Sequence, residues 1–217
     1  MYICTSNQLF SFLGTVTFWT FYVVVNLICM VAAYLNYSDQ AIFVIIARIN
    51  GQSLNFNCSL ILVLVLRKHF TWLRSKGSVS FLPIDDFIDI HKKIGIVILV
   101  ETILHTLAHL INLYNVCKAN DLNYWNGLFT GQINIGFPTG VILTVMLVII
   151  IIFAMPFVRN KGFFQLFYWF HMLTIPWLVI MLAHGKKFWI WIMFPAVCYT
   201  IEKVLRFRKV SSSILEV

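Results

Sequence analysis

The sequence predicts an all-α fold, a six-helix transmembrane bundle with both termini in the cytoplasm and one domain over residues 1–217. Three observations predict it. Only 11% of residues are charged and 60% are hydrophobic, with a mean hydropathy of +0.87; soluble domains carry about 25% charged residues. Six apolar runs follow one another, roughly Leu9–Tyr34, Ala41–Leu66, Ile94–Tyr114, Phe137–Val158, Phe163–Ala183 and Phe188–Leu205. The basic residues gather on alternate connections, which fixes an orientation.

Each run is about 20 residues long, enough for ~30 Å of hydrocarbon at 1.5 Å per residue. Only helices and closed barrels satisfy every backbone group in lipid, and runs of this length read as helices. The first run is too long for a cleavable signal peptide and lacks a basic leader. The short link after it carries a sequon, Asn36-Tyr37-Ser38, on the expected outer side; a second, Asn57-Cys58-Ser59, falls inside the second run.

The link between the second and third runs holds Arg67, Lys68, Arg74, Lys76, Lys92 and Lys93. Arg159 and Lys161 lie between the fourth and fifth runs; Lys203, Arg206, Arg208 and Lys209 close the sixth. Twelve of the 16 Lys and Arg thus fall on one side, while the opposite links hold Lys118, Lys186 and Lys187. The positive-inside rule places these basic links and both termini in the cytoplasm. The net charge of +8 is therefore topological, and nucleic acid is not the expected partner. Five cysteines without a C-x-x-C pair give neither a disulfide framework nor a zinc pattern.

The histidines carry the chemistry. His69 lies in the basic link and reads as a solvated charge. The other five sit in or beside two runs: His91, His105 and His109 about the third, His171 and His184 about the fifth. A polar contact between helices would explain any one of them; as a set they do more. His91 and His105 are 14 residues apart, which places them on one face with ~21 Å of rise. His171 and His184 are 13 apart, a rise of ~19.5 Å. Facing each other, the two helices would offer two stacked bis-histidine sites of the kind that ligate haem iron. His109 is also in phase with His91, but its ~27 Å of rise does not match the fifth run, so length selects His105 and frees His109. On an ideal helix His184 falls ~140° from the face of His171; Pro176 between them is positioned to rewind the helix. Trp177 lies near mid-membrane, as core packing or as an aromatic relay.

Two further charges are buried in the runs. Arg48 lies ~10 Å deep in the second, where it either snorkels outward or meets a propionate or a developing oxygen anion. Glu101 is inside the third and pairs with a polar neighbour or carries a proton.

These residues resemble a known family. Ala47-Arg48, Leu54-Asn55-Phe56-Asn57-Cys58, Leu66-Arg67 with Thr71-Trp72-Leu73-Arg74, Leu82-Pro83, Ile90-His91-Lys92 and Leu104-His105-Thr106-Leu107-Ala108-His109 carry the first half of the resemblance. Phe137-Pro138-Thr139-Gly140-Val141, Phe167-Tyr168-Trp169-Phe170-His171, His184-Gly185 and Phe188-Trp189 carry the second. The chain is similar over nearly all of residues 8–206 to the transmembrane domain of NADPH oxidases, within the wider ferric reductase-like superfamily, and looks closest to the calcium-regulated member.

The resemblance implies two b-type haems, the inner ligated by His91 and His171, the outer by His105 and His184, with Trp177 between them. It implies that Arg48 and His109 flank the outer haem where molecular oxygen becomes superoxide. It implies a cytosolic dehydrogenase with FAD and NADPH docking on loops 67–93 and 159–162, and residence in the plasma membrane. Neither a Gly-rich nucleotide fingerprint nor an EF-hand loop occurs in this sequence, so the expectation is a truncated domain or a chain that needs a partner subunit, and in either case half of an electron path. The rival readings are a transmembrane ferric or cupric metalloreductase and a non-enzymatic proton channel.

Overall fold

A computed structural model describes residues 2–77, 82–131, 133–159 and 162–215. Parts of the two expected docking loops, residues 78–81 and 160–161, lie outside the described residues. All regular structure among the described residues is helical: α1 (Tyr2–Tyr37), α2 (Ile42–Val63), α3 (Arg67–Ser75), a 3-10 turn at Ile84–Asp86, α4 (Phe87–Ala119), α5 (Tyr124–Phe129), α6 (Gly136–Ala154), α7 (Pro156–Arg159), α8 (Phe164–Met172), α9 (Thr174–His184) and α10 (Phe188–Leu215).

Five spans are long and apolar enough to cross a membrane by themselves: Phe12–Tyr37, Ile84–Ala119, Gly136–Ala154, Phe164–His184 and Phe188–Leu205. A sixth crossing requires α2 to be taken with Lys68–Ser75, beyond a 70° bend. The expected second span is therefore the weakest. Arg48, Asn50, Gln52, Ser53, Asn55, Asn57 and Ser59 dilute its apolar run, and in lipid these groups need protein partners.

The chain forms two compact units. The first comprises residues 1–36, 52–98 and 191–217. Here Asn26 of α1 accepts from Ser53 Oγ at 2.6 Å and from Asn57 Nδ2 at 3.1 Å. This buried polar pairing joins α1 to the second half of α2 where apolar contact alone gives little preference over lipid. It also accounts for the second sequon, since Asn57 is fully buried. Asn36 of the first sequon lies in the last turn of α1, not in a loop, and donates to the Ala32 carbonyl at 2.7 Å.

Pro195 inside α10 has no N–H for the carbonyl four residues back. That carbonyl, of Trp191, accepts from Ser59 Oγ at 2.7 Å. Beside it, Phe56 packs edge-on against Trp191 at 6.1 Å. The short helix α3 turns onto the first turn of α4 through Phe70 against Phe87, 4.9 Å between ring centres, and through a two-pronged Arg74–Asp85 pair at 3.2 and 3.0 Å.

The second unit comprises residues 37–51 and 99–190. α6 is its central helix, against which α8 and α9 pack. Phe153 and Phe170 stack at 3.7 Å, and Trp177 Nε1 donates to the Leu143 carbonyl at 3.0 Å. The expected single helix over Phe163–Ala183 is two helices, α8 and α9, with a break at Leu173. Pro176 is the cause: it cannot bond the Met172 carbonyl. The chain tightens there, with Leu173 N–H donating to Phe170 O at 3.2 Å and Thr174 Oγ1 donating to His171 O at 2.6 Å. Helical bonding resumes from Trp177 N–H to Leu173 O at 3.0 Å.

Candidate functional site

Three histidines of the second unit meet at one end of it. The last turn of α9 presents His184, the middle of α4 presents His105, and His109 follows one turn later on α4. The ring centres of His105 and His184 are 6.2 Å apart, at 70° to each other. Two metal–nitrogen bonds of ~2 Å, with the half-rings beside them, span about 6 Å. The gap therefore fits one metal atom between two imidazoles.

The hydrogen bonds settle which nitrogen each ring offers. His105 Nδ1 donates to the Ala47 carbonyl at 2.8 Å; a carbonyl can only accept, so the proton is on Nδ1. His184 Nδ1 lies 3.0 Å from Thr139 Oγ1, whose own proton goes to the Ile135 carbonyl at 2.8 Å. The hydroxyl therefore accepts from His184. Both rings then leave Nε2 with its lone pair available as a ligand, and the backbone and hydroxyl partners hold their orientation.

Two glycines make room for the rings. A Cβ on Gly51 of α2 would meet His105 Cε1 at 3.1 Å, and one on Gly140 of α6 would meet His184 Cε1 at 3.2 Å. Each imidazole lies in a cradle that any larger residue would narrow. Among the described residues no three His, Cys, Asp or Glu side chains gather to chelate a bare metal ion. Two facing imidazoles suit a haem, whose porphyrin supplies the other four donors.

His109 sits edge-on to His105 at 4.6 Å and 80°, and Phe137 closes its far side at 6.0 Å and 90°. Arg48 is exposed and lies over the Tyr37 ring at 4.9 Å. The sequence carries no signal for Tyr37 as its partner; a cation over an aromatic face eleven residues earlier leaves no periodic signature. His105, His109, His184 and Arg48 are thus gathered in one unit.

The remaining expected ligands belong to different units. His91 is half-buried on α4 in the first, and His171 is half-buried at the end of α8 in the second, with Phe167 at 5.2 Å. Trp177 is buried with its indole N–H satisfied. Glu101 is buried within the second unit.

One expectation is corrected. His69 is not a solvated charge: its Nδ1 lies 3.1 Å from Glu202 Oε2, with side-chain exposures of 34% and 8%. Glu202 is the one acidic residue in the apolar run of α10, and that isolation is the signal that could have found it. A carboxylate in such a run needs a partner, and His69 of α3 lies beside α10 to supply it.

Residues 51–182 match the family of the ferric reductase-like transmembrane component. NADPH oxidase 5 of Homo sapiens is 34% identical over 175 residues, covering 77% of this chain and 23% of that protein. Dual oxidase of Drosophila melanogaster is 27% identical over 221 residues, covering 85% of this chain and 14% of its own length. A superoxide-generating NADPH oxidase heavy chain of Dictyostelium discoideum is 27% identical over 221 residues, covering 87% and 31%. The chain spans between about a seventh and a third of these relatives. The match includes the stretches that carry Gly51, His105, Thr139 and Gly140, and on it the chain belongs to the ferric reductase-like transmembrane family.

Proposed function

We propose that this chain is the membrane domain of a superoxide-generating NADPH oxidase, an oxidoreductase that carries electrons from a cytosolic FAD- and NADPH-binding dehydrogenase to molecular oxygen. The observation that carries the reading is the facing pair His105 and His184, 6.2 Å apart and each orientated through Nδ1. His105 and His184 would hold one b-type haem; His91 and His171 would hold a second. Haem, when bound, supplies one-electron chemistry.

The residues of the chain do the rest. Ala47 and Thr139 keep both imidazoles in the tautomer that leaves Nε2 for iron. Trp177, buried between neighbouring helices, supplies an aromatic path near mid-membrane. Arg48 places positive charge where oxygen gains an electron, which favours the anion as it forms. His109, with Phe137 against it, bounds the same space. Loops 67–93 and 159–162 would dock the dehydrogenase; the basic bias supports a cytoplasmic side for them and for both termini, and the family resemblance supports the plasma membrane.

A reduced-minus-oxidised absorbance spectrum with a haem count per polypeptide tests this. Two low-spin b-type haems are expected, with one lost in His105→Ala and in His184→Ala. A folded, haem-supplied sample without haem refutes the reading and favours a proton channel. The family match also supports a second reading, a ferric or cupric metalloreductase with the same haems. Superoxide measured against ferric-chelate reduction in the same reconstituted sample separates the two.

A further inference from the structure

The helix α5 has two faces of opposite use. Gly127 and Leu128 are buried against Leu113 and Cys117 of α4. The approach is close: a Cβ on Gly127 would meet Ile133 Cδ1 at 2.6 Å and Leu113 Cδ1 at 3.2 Å. The other face bears Trp125 and Phe129, exposed by 63% and 56%, and Leu122 just before the helix is exposed by 49%. Trp125 and Phe129 lie stacked, 6.1 Å apart and 7° from parallel.

The turn before α5 is built to send the chain back along α4. Asp121 has a left-handed φ of 54°, and Leu122 N–H donates to the Cys117 carbonyl at 2.9 Å, which ends α4 in a Schellman motif. Asn123 then caps α5 by accepting from Asn126 N–H at 3.2 Å. The apolar run of α4 ends near Tyr114, so the helix overshoots it by five residues, ~7.5 Å. The return brings Tyr124 and Trp125 beside Leu110, Ile111 and Tyr114, with which they line one open apolar groove. Ile111 and Tyr114 belong to the outward, apolar surface of a membrane-spanning helix, and the exposed face of α5 continues that surface. No Asp, Glu, Lys or Arg occurs from Leu122 to Val158, so no charge opposes a seat at the headgroup level, where the exposed Asn123 and Asn126 still reach water. Trp and Tyr beside it suit the headgroup level of a bilayer.

We infer that α5 is a bilayer-seated helix: Leu122, Trp125 and Phe129 lie in the membrane interface at the C-terminal end of α4, and phospholipid is what covers them. The buried face then acts as a cover for the histidine site. Leu128 packs in the same cluster as Phe137, and Phe137 lies against His109.

The test labels the chain with 5-fluorotryptophan in phosphatidylcholine nanodiscs and assigns the Trp125 fluorine resonance by its loss in Trp125→Phe. A doxyl group near the lipid headgroup is expected to remove most of the Trp125 intensity, and a water-soluble gadolinium chelate to leave it. Buried Trp177 should keep its signal under the chelate, as an internal reference. Loss of Trp125 intensity to the chelate overturns the inference by placing α5 in water. Loss to neither probe also overturns it, because the face is then covered by protein. The outcome does not depend on haem, so it stands apart from the proposed function.

Discussion

Replacing Gly51 with Ala should strengthen the helix and weaken the haem site at once. The added Cβ would lie 3.1 Å from His105 Cε1 and 3.3 Å from Nδ1. An optimal carbon contact is ~3.5–4.0 Å, so the ring must retreat by about 0.5 Å. That retreat stretches the 2.8 Å bond to the Ala47 carbonyl, the bond that fixes the tautomer. Losing a hydrogen bond costs ~1 kcal/mol, and loosening the support of a metal-ligating histidine lowers metal affinity about 10–100-fold. Against this, Ala in a helix gains up to ~1 kcal/mol over Gly. The two terms roughly cancel, so the haem-free protein should be about as stable as the parent, while one of the two haem affinities falls about tenfold. Gly95→Ala is the control: its Cβ would meet only Ile61 Cδ1, at an ordinary 3.9 Å. Titrating haem into the haem-free protein and following the Soret band reads the affinity; thermal unfolding reads the stability. Unchanged titration in Gly51→Ala, or an equal loss in Gly95→Ala, refutes the role given to the cradle.

Three further outcomes follow from the same geometry. Thr139→Val removes the acceptor for His184 Nδ1–H and should lower affinity for one haem about tenfold; Thr139→Ser should restore it, as haem titration will show. Arg48→Ala should leave both haem spectra intact and slow superoxide formation ~100–1000-fold, the scale of losing one charge-stabilising group, with Arg48→Lys between; loss of haem would contradict the assignment. Glu202→Gln should lower stability by ~1–3 kcal/mol, because it removes the charged acceptor from a buried contact with His69; unchanged denaturant unfolding would mean that the pair contributes nothing.

Much of this is legible in the chain, and the reasons for the rest are physical. The spans are legible because lipid demands continuous apolar length, and His105 and His184 are legible because few ionisable residues survive in such runs. The second span is weaker than its apolar content suggests. The Asn and Ser within it matter as much as the apolar residues, and their partners Asn26 and Trp191 lie far away in the chain. Pro176 announces a distortion, yet the break falls three residues earlier at Leu173, next to the orphaned Met172 carbonyl that forces the adjustment. His69 misleads because its position in a basic link says nothing of α3 folding back toward α10.

The signals that escape the sequence share a cause. Apolar side chains in a membrane meet lipid or protein with nearly the same free energy, so hydrophobicity cannot say which face of a helix is inside. Small residues and polar residues can. Gly51 and Gly140 stand where imidazoles press on a helix, and Gly127 stands where α5 presses on α4. Thr139 supports one ligand, Ser59 satisfies the carbonyl exposed by Pro195, and Glu202 finds His69. Each is explained by its close partners, and none by the apolar pattern. In a chain with 10 glycines and 8 acidic residues, asking of each what presses on it or pairs with it recovers the supports of the site, because in lipid a gap or an unpaired polar group is costly and an exposed leucine is not.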